Sequence, residues 1–228
     1  MFADRREAGR QLAHRLIPNA SLEPLVVGLP RGGVPVAAEV ADRLGAELDV
    51  IVVRKLGCPW QPELGIGAIA EGGVRVLNDA LVEEVGIGRD QLDAETAREG
   101  AELARRVGRY RGDRAPIPVA NRVVIVVDDG LATGYTARPA IESLRRRGAR
   151  RVILAVPVAP EDSIAAMRDV ADEVVVVDVP SWFLSIGEFY EDFSQTSDAE
   201  VVGLLQRAAG QSERAVSAVE AKPGAPER

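Results

Sequence analysis

Two adjacent carboxylates, Asp128 and Asp129, stand just before a loop of small and hydroxyl-bearing residues, Gly130-Leu131-Ala132-Thr133-Gly134-Tyr135-Thr136. Ionised carboxylates only accept hydrogen bonds and repel anions. The pair therefore suits the two hydroxyls of a cis-diol, or a place near Mg²⁺. The loop after it has the opposite preference. Free backbone N–H groups leading into a helix favour a phosphate, and Thr133 and Thr136 add hydroxyl donors. Gly134 lacks a Cβ, so the backbone can come close to a ligand. Taken together, the acid pair and the loop suit a sugar phosphate with a free cis-diol.

Cations stand at two further places. Pro30-Arg31-Gly32-Gly33 follows a short apolar run, and Arg31 offers a forked guanidinium suited to phosphate oxygens. Gly32 and Gly33 are expected to expose backbone N–H groups there. Arg54-Lys55 follows a second apolar run and suits a diphosphate or a neighbouring subunit's ligand. Lysine occurs only at Lys55 and Lys222, which makes Lys55 conspicuous.

The elements that must hold these groups are legible from periodicity. Val123 to Val127 is an unbroken β-branched run, as in a strand buried on both faces of a parallel sheet. Ala137 to Arg147 reads as a helix with Ile141 and Leu144 on one face. Val26–Leu29, Leu48–Val53, Arg151–Val158 and Glu173–Val177 read as further strands. Arg5–Leu16, Val34–Leu44, Ile87–Arg111, Glu161–Val170 and Ala199–Ala208 read as helices, with Ser197 or Asp198 capping the last. Strands alternating with helices predict an α/β fold with a doubly wound, mostly parallel sheet. Ligands of such sheets bind at the carboxyl ends of the strands, where the acid pair and both cationic runs are expected.

Val124 to Ala137, a hydrophobic strand, two acids and then Thr-Gly-x-Thr, resembles the phosphoribosyl diphosphate (PRPP) signature of the type I phosphoribosyltransferases. Tyr190 to Asp198 and Phe2-x-Asp-Arg near the start resemble an uncharacterised bacterial subgroup of that family. The resemblance implies PRPP and Mg²⁺ as ligands and transfer of the 5-phosphoribosyl group to an acceptor, such as a nucleobase, with release of pyrophosphate. It implies that Leu131, Ala132, Thr133, Gly134, Tyr135 and Thr136 hold the 5-phosphate. Asp128 and Asp129 would hold the ribose hydroxyls and only indirectly the metal. Pro30, Arg31, Gly32 and Gly33, in a loop at Leu29–Gly33 that in the family often contains a non-proline cis peptide, would hold the pyrophosphate, together with Arg54 and Lys55 at the end of the next strand. The groups assigned to catalysis are Asp128, Asp129 and Arg31. The family is usually dimeric, so a homodimer is implied. Two features depart from the pattern. Tyr135 stands where many members have a small residue or lysine, and only Arg75 is basic in the expected flexible loop.

One domain over residues 1–209 is expected, with a core of about 26–177, a hood of about 178–198, and a disordered tail over 210–228. Leu56 to Asp79, rich in glycine, reads as a flexible loop, with Ala68–Ala70 and Val74–Leu77 able to pair as a hairpin. Trp60 and Glu63 are candidates for its closure. The hood gathers much of the chain's aromatic content, which is only 4% overall. It reads either as an acceptor pocket, with Trp182 and Phe183 as candidates, or as a mini-core. The charged stretch 87–114 reads as a solvated flank or dimer contact, with an RNA-facing surface as the other reading.

A length of 228 residues suits one α/β domain with a good core. The net charge of −7 argues against nucleic acid as the main partner. With one cysteine, Cys58, and one histidine, His14, no intrachain disulfide or Cys/His zinc site can form. No apolar run is long enough to cross a bilayer, and the first residues do not read as a signal peptide. A cytoplasmic enzyme or binding protein is expected. The alternative to a transferase is a non-catalytic sensor of PRPP or a ribose phosphate, or a hydrolase-like or salvage enzyme acting on a ribosyl phosphate.

Overall fold

A computed structural model describes residues 1–220, with side chains to 211. Five strands form one parallel sheet: β1 (Leu25–Gly28), β2 (Glu47–Val50), β6 (Val123–Val127), β7 (Arg151–Val158) and β8 (Glu173–Asp178). Their order is β2-β1-β6-β7-β8, and every pair is parallel. All five carboxyl ends therefore lie on one edge.

The alternation of a strand explains how both faces are covered. In β6, Val123, Ile125 and Val127 join one core with α1 (Arg5–Leu16), α2 (Gly33–Leu44) and the start of α7 (Asp198–Glu220). Val124 and Val126 join a second core with α5 (Ala137–Arg146) and α6 (Glu161–Arg168). This is the doubly wound arrangement the alternating pattern predicts.

The stretch expected as a flexible loop is instead mostly a second, antiparallel sheet. It comprises β3 (Val53–Cys58), β4 (Gln61–Ala70) and β5 (Val74–Leu77). Ala68 pairs with Val76 and Ala70 with Val74, which is the expected hairpin. Trp60 is 54% exposed at the turn between β3 and β4. A short helix, α3 (Asp79–Val85), follows, and α4 (Arg89–Arg111) buries Leu92 and Leu103 in the same core as Ile66 and Ile69.

The expected strand Leu48–Val53 is divided. The Ile51 N–H still reaches the Gly28 carbonyl of the parallel sheet at 3.2 Å, but Val53 already pairs with Ala70 in the small sheet. An apolar run reads alike in both sheets, so periodicity cannot mark the switch. The last helix also differs from expectation. Ser197 caps it, its hydroxyl accepting from the Glu200 N–H at 3.1 Å. It then runs past Ala208 to Glu220, so the tail expected from 210 is helical over its first part. Alanine, glutamine, glutamate and arginine in that stretch favour a helix. Residues 221–228 of the expected tail lie outside the described residues. Among the described residues no helix is long and apolar enough to cross a membrane.

Candidate functional site

Each parallel strand delivers its following loop to the same edge. Three loops converge there: 29–33 after β1, 128–136 after β6, and the hood after β8. Their order follows from the topology, since β1 and β6 are neighbours.

The acid pair starts where β6 ends. One oxygen of Asp128, Oδ1, accepts from the Asp129 N–H at 2.9 Å. Burial, and secondly the adjacent Asp129 charge, hold the Asp128 carboxyl well above the usual carboxylate range. Asp129 is oriented from outside its own loop. Its Oδ2 accepts from Arg5 Nε at 2.8 Å, and its backbone carbonyl accepts from the Tyr190 hydroxyl at 2.6 Å.

The small-residue loop presents the expected donors, with one correction. The Leu131 N–H donates to the Val158 carbonyl at 2.9 Å, and its side chain is buried. Leu131 therefore anchors the loop to β7 and cannot offer a phosphate its N–H. Among the described residues, the N–H groups of Ala132, Thr133, Gly134, Tyr135 and Thr136 take no partner within the chain, nor do the hydroxyls of Thr133 and Thr136. Gly134 has a φ of +74°, a value that L side chains rarely adopt. The Ser163 hydroxyl donates to the Ala132 carbonyl, which braces the loop from α6. The Tyr135 ring is 57% exposed and does not fill the loop. It lines a cleft of about 370 Å³ with Thr133, Arg138, Leu77, Asn78 and Asp79. A larger cavity of about 520 Å³ is lined by Gly45, Glu47 and Leu204, at the amino end of β2 and away from these loops.

In the loop after β1, the Pro30–Arg31 peptide bond is cis, at the position the resemblance implied. The N–H groups of Arg31 and Gly32 take no partner among the described residues, but the Gly33 N–H donates to the Leu29 carbonyl at 3.0 Å. Gly33 thus closes the turn rather than offering a donor. Arg31 is partly exposed, and its guanidinium lies 4.0 Å from Asp198 at the start of α7. Asp198 also accepts from the Tyr110 hydroxyl at 2.9 Å and pairs with Arg109.

Arg54 and Lys55 are placed differently from expectation. They lie within β3, not at the carboxyl end of a parallel strand. Arg54 pairs with the buried Glu99 at 2.7 Å, and Lys55 Nζ donates to the Glu63 carbonyl at 2.6 Å. Two adjacent cations in a strand point to opposite faces, so they do not form one cationic cluster.

The hood aromatics pack mainly on one another. Phe2 and Tyr190 are buried in a small core with Phe183, Phe189 and Phe193 around them. The Phe183 and Phe189 rings stack at 5.6 Å. Trp182 is 73% exposed. The mini-core reading therefore holds for Phe183, while Trp182 stays outside it. Along the charged helix, Arg98 pairs with Glu95 and Glu99, Arg105 and Arg106 with Glu102, and Arg111 with Asp49 and Glu71.

Sequence reasoning missed Arg5, Tyr190 and Asp198 as members of the site. Arg5 and Tyr190 sit in the two end motifs, Phe2-x-Asp-Arg and Tyr190 to Asp198. Nothing in their spacing told which loop they would meet.

Comparison with known proteins agrees with this architecture. A protein of Mycobacterium tuberculosis (strain ATCC 25618 / H37Rv), named as a phosphoribosyl transferase, is 51% identical over 208 residues, covering 91% of this chain and 47% of its own length. The chain thus spans about half the length of that curated relative. A uracil phosphoribosyltransferase of Staphylococcus haemolyticus (strain JCSC1435) is 26% identical, covering 74% of this chain and 68% of its own. The crystal structure of the protein TT1426 from Thermus thermophilus superposes with a TM-score of 0.79 at 42% identity, covering 91% of this chain and 98% of that one. The family of the phosphoribosyl transferase domain matches residues 5–194. With the acid pair, the donor loop and the β1 loop meeting at one sheet edge inside that span, the chain belongs to the phosphoribosyl transferase domain family.

Proposed function

We propose that this chain binds PRPP at the carboxyl edge of its parallel sheet and transfers the 5-phosphoribosyl group to an acceptor, releasing pyrophosphate. The observation that carries the reading is the run of N–H groups from Ala132 to Thr136 that take no partner among the described residues and lead into α5, directly after the acid pair. The 5-phosphate takes these donors and the hydroxyls of Thr133 and Thr136. Asp128 and Asp129 accept from the ribose hydroxyls. The pyrophosphate lies on the N–H groups of Arg31 and Gly32, with the Arg31 guanidinium beside it.

Mg²⁺ fits here as the counter-ion of the diphosphate. Among the described residues no three His, Cys, Asp or Glu side chains converge to hold a metal, so its ligands would be phosphate oxygens and water, with Asp128 and Asp129 nearby. Bound there, it would neutralise part of the leaving group's charge. The protein's own part is placement and charge stabilisation. The N–H groups at Arg31 and Gly32 stabilise the departing pyrophosphate, and the donor loop fixes the sugar. The β3–β4 turn, with Trp60 exposed at its tip, would close over the reacting sugar to exclude water.

A purine, a pyrimidine or an amine fits as the acceptor. One observation favours the second reading, a sensor of ribose phosphates: most hood aromatics are used in their own mini-core rather than around an open pocket. Following pyrophosphate release from PRPP with Mg²⁺ over a panel of nucleobases and amines separates the two. Base-dependent release supports the transferase and names its acceptor. PRPP binding without release for any acceptor supports the sensor.

A further inference from the structure

We infer that Arg5, at the first residue of α1, is a positioning residue that aims the Asp129 carboxylate at the sugar. The inference rests on the PRPP reading above and adds to it a group from the opposite end of the chain. Arg5 and Asp129 are both largely buried, at 12% and 13% side-chain exposure, and Nε meets Oδ2 at 2.8 Å. The rest of the guanidinium is held by the hood. Its Nη1 donates to the Ser194 carbonyl at 2.7 Å, and its Cζ lies 3.9 Å from the Phe193 ring centre. The Tyr190 hydroxyl, from the same segment, holds the Asp129 carbonyl.

Such a clamp has two chemical consequences. With Oδ2 engaged, the carboxylate keeps one rotamer and Oδ1 is left to accept a sugar hydroxyl. The ordering cost of that side chain is then met before the ligand arrives. The Arg5 charge also offsets one of two adjacent carboxylates at a site that must receive a highly anionic ligand. Neither role needs Arg5 to touch the ligand. A residue that merely held the hood in place would have no reason to be aimed at this acid.

The test uses the full chain and calorimetric titration with ribose 5-phosphate, its 2-deoxy and 3-deoxy analogues, and inorganic phosphate. In the wild type, ribose 5-phosphate is expected to bind more tightly than the analogue lacking the hydroxyl that meets Asp129. In Arg5→Ala that preference is expected to fall about tenfold, as for loss of one well-placed hydrogen bond to a charged group. Inorganic phosphate, which senses only the lost charge, is expected to weaken by less than ribose 5-phosphate, and Arg5→Lys recovers part of the preference. Phe193→Leu keeps the Arg5 charge and loosens only its seat. It is expected to shift the preference in the same direction by less, and it keeps the test decisive if Arg5→Ala does not fold. An unchanged hydroxyl preference in the folded variants, or equal weakening of all four ligands, overturns the role of Arg5 alone. A wild-type chain that binds no ribose 5-phosphate overturns the PRPP reading itself.

Discussion

Gly32 and Asp129 lie so close that a Cβ built on Gly32 would stand 2.0 Å from Asp129 Oδ2. The loop after β1 and the acid pair after β6 are thus packed backbone against carboxylate, although about a hundred residues separate them in sequence. The same Cβ would stand 3.1 Å from Arg5 Nε. Gly32→Ala must therefore displace either the Arg5–Asp129 pair or the loop itself. Its expected effect is a loss of PRPP affinity of about tenfold or more, as for a misplaced charge-assisted contact. Calorimetry beside a thermal melt checks this. Full affinity with full stability would show that the loop moves without consequence.

The Arg31 guanidinium is shared with an acid of its own chain. Asp198 lies 4.0 Å away and competes with any anion for it. Asp198→Asn is expected to tighten pyrophosphate binding by about two- to fivefold, the scale of one partly exposed ion pair. Arg31→Ala is expected to weaken pyrophosphate more than ribose 5-phosphate. Equal loss of both ligands in Arg31→Ala would move Arg31 to another part of the site.

Asp128 is the residue for which fold and function ask different things. Its raised carboxyl pKa, caused first by burial, sets a sign. A carboxyl with a folded-state pKa above its unfolded value favours the fold at low pH, and that contribution is lost as pH rises through the folded value. Asp128→Asn removes the charge and keeps an oxygen for the Asp129 N–H. The variant is expected to melt higher than wild type near about pH 8, with no such gain near about pH 4 where the unfolded carboxyl also protonates. A gain of equal size at both pH values would contradict the assignment.

Arg111 gives a test of the scaffold alone. Its side chain is 4% exposed and pairs with Asp49 at 2.9 Å and with Glu71, while also donating to the Val50 carbonyl. It ties α4 to the end of β2 and to the turn of the small sheet. Arg111→Ala leaves two acids largely buried without their cation, so a stability loss of about 3–5 kcal/mol is expected from denaturant melts. A loss below about 1 kcal/mol would mean that water replaces the guanidinium freely.

The parallel sheet was legible because its strands are β-branched runs separated by amphipathic helices, and α1 and β7 have the bounds that periodicity predicts. The acid pair and donor loop were legible because they are contiguous. Several details were not. Leu131 reads as a loop donor, but a hydrogen bond to Val158, 27 positions on, takes its N–H. Arg54 and Lys55 read as a strand end because the chain changes sheet inside an unbroken apolar run. The clamp on Asp129 depends on how the two ends of the chain fold back over the sheet, and no local pattern encodes that meeting.

The proposed PRPP site stands on the acid pair and the donor loop together. Titrating PRPP with Mg²⁺ into the full chain, and into the Asp128→Asn, Asp129→Asn double variant, tests it most directly. Saturable binding by the wild type is expected, with an affinity at least about tenfold weaker in the double variant, as for loss of charged acceptors to two hydroxyls. No binding by the wild type, or equal affinity in both proteins, would contradict it.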